Sequence, residues 1–348
     1  MRIAEFDYEL PEDRIAQTPV EPRDSSRLLV DLGETVAHRR TGDLPDLVGP
    51  GDVVVVNDTR VLPARLRFAR PSGGASEVLL LEDRAEDCGE GWWEALVRPS
   101  RKLRPGTIID LGAPAGARPD RPPLTIEIGD ELGDGRRLVR LAAVGSLLAA
   151  LDAHGEAPLP PYLATRLDDP ERYQTVYARR PASAAAPTAG LHLTPGVLDA
   201  CRAAGAQVVS VELVVGLDTF RPVTVDDLDD HRMHTERYHV PAETMAACAA
   251  ARRVVAIGTT TVRALESAAA RDALEGRTDL FIRRGFPWRV VDVLLTNFHL
   301  PRSTLLVMID AFVGPRWREL YDIALHDHYR FLSFGDAMLL QRRTPEPA

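Results

Sequence analysis

The sequence predicts an α/β protein in which a mixed-sheet domain is interrupted by a small antiparallel β-barrel. Three observations carry this. Apolar runs such as Asp52–Val56, Val208–Val215, Val254–Ile257 and Val290–Leu295 alternate with helix-like segments, most regularly in the second half, as in a layered α/β fold. From about Val61 to Leu148 helices give way to short apolar or alternating runs separated by Gly, Pro and Asp clusters. The two textures also differ in charge: acids and bases balance within the insert, so the net −9 belongs to the rest of the chain. The expected organisation is an α/β domain from residues 1–60 and 151–348 with a barrel at 61–150. At 348 residues the chain can bury both cores.

Taken in order, Phe6–Pro11 leads into a short helix-like segment, and Leu28–Val30 is a strand. Asp52–Val56 suits a strand buried on both faces and delivers the polar group Asn57-Asp58-Thr59-Arg60. The insert's strands are Arg65–Ala69, Val78–Leu81, Trp92–Val97, Thr107–Leu111, Leu124–Ile128 and Leu138–Ala142. Helices are expected again after Leu159-Pro160-Pro161-Tyr162. Thr194 is placed to cap one with Pro195 in its first turn and Gly205 at its close. Val208–Val215 is a strand, Ala242–Ala251 a helix and Val254–Ile257 a strand. The helix beginning near Thr260 then offers free N–H groups at its positive end. Val290–Leu295 is the last expected strand, and Leu305–Phe312 a helix stopped by Gly314. The loop between them, Thr296–Thr304, gathers Asn, His, Arg, Ser and Thr where open α/β sheets bind ligands. Thr344–Ala348 is expected to be a frayed tail.

Composition narrows the function. Cys88, Cys201 and Cys248 are odd in number and far apart in sequence. That argues against a disulfide framework or clustered-cysteine metal motif and suits a reducing cytoplasm. No apolar run reaches membrane-spanning length, and Asp7, Glu9 and Asp13 are out of place in a secretory leader. A cytoplasmic protein with no membrane partner is expected, and with no coiled-coil pattern a monomer. The acidic balance supplies no global field for nucleic acid, so such a partner needs a local basic patch. Arg98, Arg101, Lys102 and Arg104 form the densest basic run, either that patch or a solvated hairpin. No standard nucleotide-cofactor or hydrolase motif is present, and His231, His234 and Glu236 match no helical zinc spacing, so no metal is expected.

Short motifs along nearly the whole chain carry a resemblance. They include RDSSRLL at Arg23–Leu29, NDTRVLPARL at Asn57–Leu66, AAPTAGLH at Ala185–His192, GTTTVR at Gly258–Arg263, LTNFHLPRSTLL at Leu295–Leu306 and YRFLSFGDAML at Tyr329–Leu339. Through them the chain resembles the S-adenosylmethionine:tRNA ribosyltransferase-isomerase family of queuosine biosynthesis. Asp218 stands where that family usually has Gly, a departure that bears on turnover more than on reaction class. The resemblance implies that S-adenosylmethionine is consumed as a ribosyl donor, with no resident cofactor. The acceptor is an aminomethyl-deazaguanine already in the tRNA wobble position. Adenine and methionine leave, and the transferred sugar becomes the epoxycyclopentanediol of epoxyqueuosine.

That chemistry asks for a base at the acidified carbon beside the sulfonium, a donor for departing adenine and a neutral attacking amine. His192 and His299 are the acid–base candidates, with a satisfied structural histidine as the alternative for each. Asp58 and Glu266 are candidates to receive the sulfonium charge or orient a histidine. Glu266 could equally pair with Arg263, three residues earlier on one helix. Arg60, Arg221 and Arg263 could hold the methionine carboxylate or tRNA phosphates. Thr188, Thr259, Thr260 and Asn297 are candidates to hydrogen-bond ribose or adenine, and His234 joins the substrate-binding set. Two rivals are a non-catalytic RNA-binding protein using the basic patch and a relative repurposed for another S-adenosylmethionine-dependent modification.

Overall fold

The computed structural model describes residues 1–70, 73–112, 122–133, 135–165, 167–216 and 223–343. Arg221, Asp218 and the tail Thr344–Ala348 lie outside the described residues. The chain divides into two compact units: Met1–Arg60 with Pro161–Arg180 and Ala186–Ala348, and Val61–Pro160 with Pro181–Ala185.

The larger unit is built on a mixed sheet of nine strands among the described residues. At its centre Gln207–Leu213, Asp52–Asn57, Arg253–Ile257 and Val293–Asn297 lie side by side and parallel. Asp52–Asn57 and Val293–Asn297 are buried at every position, as their unbroken apolar patterns predict. Beyond Val293–Asn297 the sheet continues with Ala337–Gln341, antiparallel to it, then Arg27–Asp31 and Ala37–Arg40. The opposite edge is Glu236–His239 and Glu275–Thr278, two short antiparallel strands. One face of the sheet meets the helix Pro195–Ala203 through Val54, Val56, Leu193, Val197, Leu198 and Ile257, all buried. Each such side chain is worth about 1.5–3 kcal/mol of burial. Thr194 caps that helix as expected, its hydroxyl accepting the Val197 N–H at 3.2 Å.

The smaller unit holds a curled antiparallel half-barrel sheet of seven strands among the described residues. All six strands expected in the insert are present, several of them longer than their apolar runs: Val78–Leu81 extends to Ala75–Asp83 and Leu124–Ile128 to Leu124–Gly133. The unit runs past the expected boundary at residue 150. Helix Leu147–His154 and the short strand Gly155–Glu156 belong to it, because Gly155 and Glu156 pair with Leu66 and Arg65. No alternation announces a two-residue strand.

One further expectation fails locally. The strand expected at Val290–Leu295 begins three residues later, at Val293. The Val290 and Val291 N–H groups are taken by the Glu266 carboxylate instead of a neighbouring strand. Helices return after Tyr162 as expected, beginning with Pro195–Ala203; between Tyr162 and Arg180 the described residues form the short 3-10 turn Pro170–Tyr173.

Candidate active site

The parallel strands Arg253–Ile257 and Val293–Asn297 both end at one cavity of about 760 Å³ that opens to solvent. Its walls include Thr188, Gly258, Thr259, Thr260, Asn297 and His299. A second cavity of about 400 Å³ shares Thr259, Thr260 and Leu305 with the first and adds His234, Arg263 and the apolar Met233, Phe281 and Met308. Thr188, Thr259, Thr260, Asn297 and His299 are therefore brought together, at the strand ends where this fold class places ligands.

A turn and a strand end position the first polar groups of the larger cavity. The turn Thr188–His192 supplies Thr188, whose hydroxyl donates to Asn297 Oδ1 at 2.9 Å. Asn297, the last residue of its strand, donates through Nδ2 to His192 Nε2 at 2.9 Å and to the Asp336 carbonyl at 3.4 Å. His192 Nε2 is thus an acceptor, its proton sits on Nδ1, and the Thr188 oxygen is left as an acceptor toward the cavity. Gly190 makes this turn possible, because a Cβ there would lie 1.9 Å from the Tyr177 hydroxyl.

His299 is fixed from three sides. Its Nε2 meets the Thr296 hydroxyl at 2.8 Å, its N–H donates to the Tyr321 hydroxyl at 2.9 Å, and its carbonyl accepts from the Tyr8 hydroxyl. Neighbouring Phe298 is clamped by Phe331 and Tyr321, with ring centroids 4.8 and 5.5 Å away. Burial pushes His299 down to about 3 and His192 down to about 4; for His192 the Arg330, Arg172 and Arg23 cations add to the effect. Both imidazoles are neutral near pH 7, able to accept a proton and unable to give one as imidazolium.

His192 itself lines neither cavity. It faces a recess of about 230 Å³ beside Arg23 and Arg172, which shares Ser333 with the larger cavity, and it reaches that cavity's wall through its bond to Asn297. Glu266 is also away from both cavities. Wholly buried, it accepts the N–H groups of Arg289, Val290 and Val291 at 2.9–3.0 Å, and burial raises its carboxyl above the usual range while those bonds pull it back. It does not pair with Arg263. That guanidinium forms a buried ion pair with Glu236 and reaches the Thr278 carbonyl at 3.4 Å. Asp58 sits beside Arg179, at 3.7 Å, with burial raising its carboxyl and Ser210 lowering it. Arg60 pairs with Glu171. Neither Asp58 nor Arg60 walls the cavities. Arg98, Arg101, Lys102 and Arg104 are all exposed in the smaller unit, where the buried Arg137 ties down the turn Ser100–Lys102 through Ser100 Oγ at 3.0 Å.

Sequence reasoning missed the groups that orient the site. Tyr8, Tyr321 and Asp336 lie outside the loops that wall the cavity in sequence, yet each bonds His299 or Asn297. Tyr8 lay in the noted Phe6–Pro11 stretch and Asp336 in the YRFLSFGDAML motif, so both had a signal; Tyr321, on helix Arg316–His326, had none.

Comparison with known proteins bears on this geometry. A family model described as "Queuosine biosynthesis protein" matches residues 3–340. The S-adenosylmethionine:tRNA ribosyltransferase-isomerase of Rubrobacter xylanophilus is 52% identical over 343 residues, 98% of each chain. That of Thermus thermophilus is 49% identical over 347 residues, covering 96% of this chain and 98% of the relative. The crystal structure of an S-adenosylmethionine tRNA ribosyltransferase from Thermotoga maritima superposes with a TM-score of 0.53 at 35% identity, over 97% of this chain and 99% of that one.

Proposed function

Since the chain belongs to the queuosine biosynthesis protein family, we propose that it transfers and isomerises the ribosyl moiety of S-adenosylmethionine onto an aminomethyl-deazaguanine at the tRNA wobble position, releasing adenine and methionine. The observation that carries this reading is kinship near 50% identity over almost the full length. An open cavity lined by polar groups at the carboxyl ends of the parallel strands supports it.

Within the reading, His299 is the base that removes the proton from the carbon beside the sulfonium. It is neutral, walls the cavity and is held by Thr296, Tyr8 and Tyr321. His192 acts through Asn297, fixing the amide whose Oδ1 sets the Thr188 hydroxyl. Thr188, Asn297 and Thr260 contact the donor nucleoside. Glu266, Asp58, Arg60 and Arg263 serve the scaffold, as their partners indicate. The smaller unit is, at finer grain, an inserted β-barrel domain, and its Arg98, Arg101, Lys102 and Arg104 meet tRNA phosphates. In this reading S-adenosylmethionine enters as a consumed co-substrate, and no resident cofactor is invoked. Isolated cysteines and the lack of coiled-coil periodicity favour a cytoplasmic monomer.

The test is incubation with S-adenosylmethionine and precursor-bearing tRNA, following adenine and methionine release and the mass of the modified nucleoside. Stoichiometric release with the epoxyqueuosine mass supports the reading. Binding of tRNA without turnover of the donor would favour the RNA-binding rival.

A further inference from the structure

Of the two arginines that the sequence offered for the donor's carboxylate and that the structure describes, Arg60 pairs with Glu171 away from both cavities, and Arg263, which walls the second cavity, pairs through one nitrogen with Glu236. What stands in the wall shared by both cavities is the first turn of the helix Thr259–Arg271. Its N-cap is Gly258, at φ +91°, with no side chain to satisfy the helix end. The first helical bond runs from the Val262 N–H to the Gly258 carbonyl at 3.2 Å, so the N–H groups of Thr259, Thr260 and Thr261 precede the helical ladder. The Thr261 hydroxyl folds back to the Ile257 carbonyl at 2.7 Å, and the Thr260 hydroxyl accepts from Asn57 Nδ2 at 3.2 Å. Thr259 differs. It is 7% exposed, it walls both cavities, and its hydroxyl has no hydrogen-bond partner among the described residues. An unpartnered hydroxyl on a buried residue, beside open amides at the positive end of a thirteen-residue helix, offers donors suited to an oxyanion. Met233, Phe281 and Met308 border the same turn and keep the local dielectric low, which strengthens each interaction with a charge.

We infer that the first turn of this helix, with the Thr259 hydroxyl, binds the carboxylate of the donor's methionyl arm. The inference rests on the proposed function and deepens it. A carboxylate at the end of a flexible arm reaches a turn this enclosed, whereas a backbone phosphate of RNA arrives held between two sugars. The expected binder is therefore the donor's own carboxylate, with its nucleoside in the larger cavity.

Calorimetric titration of the whole protein with S-adenosylmethionine and with decarboxylated S-adenosylmethionine tests it, on the parent, Thr259→Val and Thr259→Ser. The parent is expected to prefer the carboxylated compound by at least about tenfold. Thr259→Val, nearly isosteric, should lose roughly ten- to a hundredfold in affinity for S-adenosylmethionine, the range for a hydrogen bond to a charged group. Its affinity for the decarboxylated compound should stay put, and Thr259→Ser should restore the preference. Equal affinity of the parent for both compounds overturns the inference and leaves the proposed function standing. So does an equal loss of both in a Thr259→Val protein with the parental melting temperature. Inorganic phosphate that displaces S-adenosylmethionine from the parent but not from Thr259→Val would move the assignment to a phosphate and overturn the carboxylate. If neither compound binds the parent, the proposed function falls, and the inference with it.

Discussion

Acid should destabilise the larger unit through two identifiable imidazoles. In an unfolded chain each histidine takes up a proton near pH 6.5. In the fold His192 does so only at about 4 and His299 only at about 3, because burial penalises the cation. A depressed imidazole pKa gives stability that is complete above about pH 6.5 and is lost as the pH falls toward the folded value. Each pH unit of delay is worth about 1.4 kcal/mol, so between pH ~6.5 and ~4.5 each histidine costs the fold about 3 kcal/mol. Together that is roughly 6 kcal/mol, comparable to the whole stability of an ordinary domain. The assay is urea unfolding at about pH 7 and about pH 4.5 for the parent, His192→Gln and His299→Gln. Every other titration is shared, so the difference in acid loss between parent and variant isolates one imidazole. Each variant should start less stable at neutral pH, yet lose about 3 kcal/mol less on acidification. An acid loss identical to the parent's in both variants would refute the claim that these histidines are buried neutral.

Activity should separate the same two residues. His299→Gln should lower single-turnover adenine release by roughly two to four orders of magnitude, the range for a lost general base, with tRNA affinity unchanged; parental release from folded His299→Gln would remove it from the mechanism. Glu266→Ala strands three N–H groups, one buried and two half-buried, and should cost on the order of 3 kcal/mol in thermal unfolding, while activity per folded molecule persists. Activity lost without a lower melting temperature would return Glu266 to the catalytic set. Gly190→Ala drives a methyl into the Tyr177 hydroxyl and should cost about 1–3 kcal/mol, with partial recovery when combined with Tyr177→Phe; simple additivity of the two changes would contradict the close approach. Replacing Arg98, Arg101, Lys102 and Arg104 by Ala should weaken tRNA binding and flatten its salt dependence by about one unit for each phosphate no longer neutralised. An unaltered salt slope would make that run a solvated surface.

Local patterns carried much of the architecture. The valine run ending at Asn57, the Thr194-Pro195 cap and the helix stop at Gly314 each declare an element within a few residues, because burial period and capping are short-range properties. The cavity-forming loops were legible for the same reason: polar groups clustered after apolar strands mark strand ends. Sequence alone could not decide which polar group answers which. Glu266 lies one helical turn from Arg263, yet its carboxylate turns to the amides of residues 289–291, while Arg263 finds Glu236, 27 positions away. Val290 and Val291 look like strand and are not, since their N–H groups are claimed by that carboxylate. His192 and His299 read alike in their motifs. Only the packed structure puts His299 on the cavity wall and His192 behind Asn297. A buried charge or amide must be satisfied by whatever tertiary packing brings within hydrogen-bond reach, and that neighbour is set by chain segments far away in sequence.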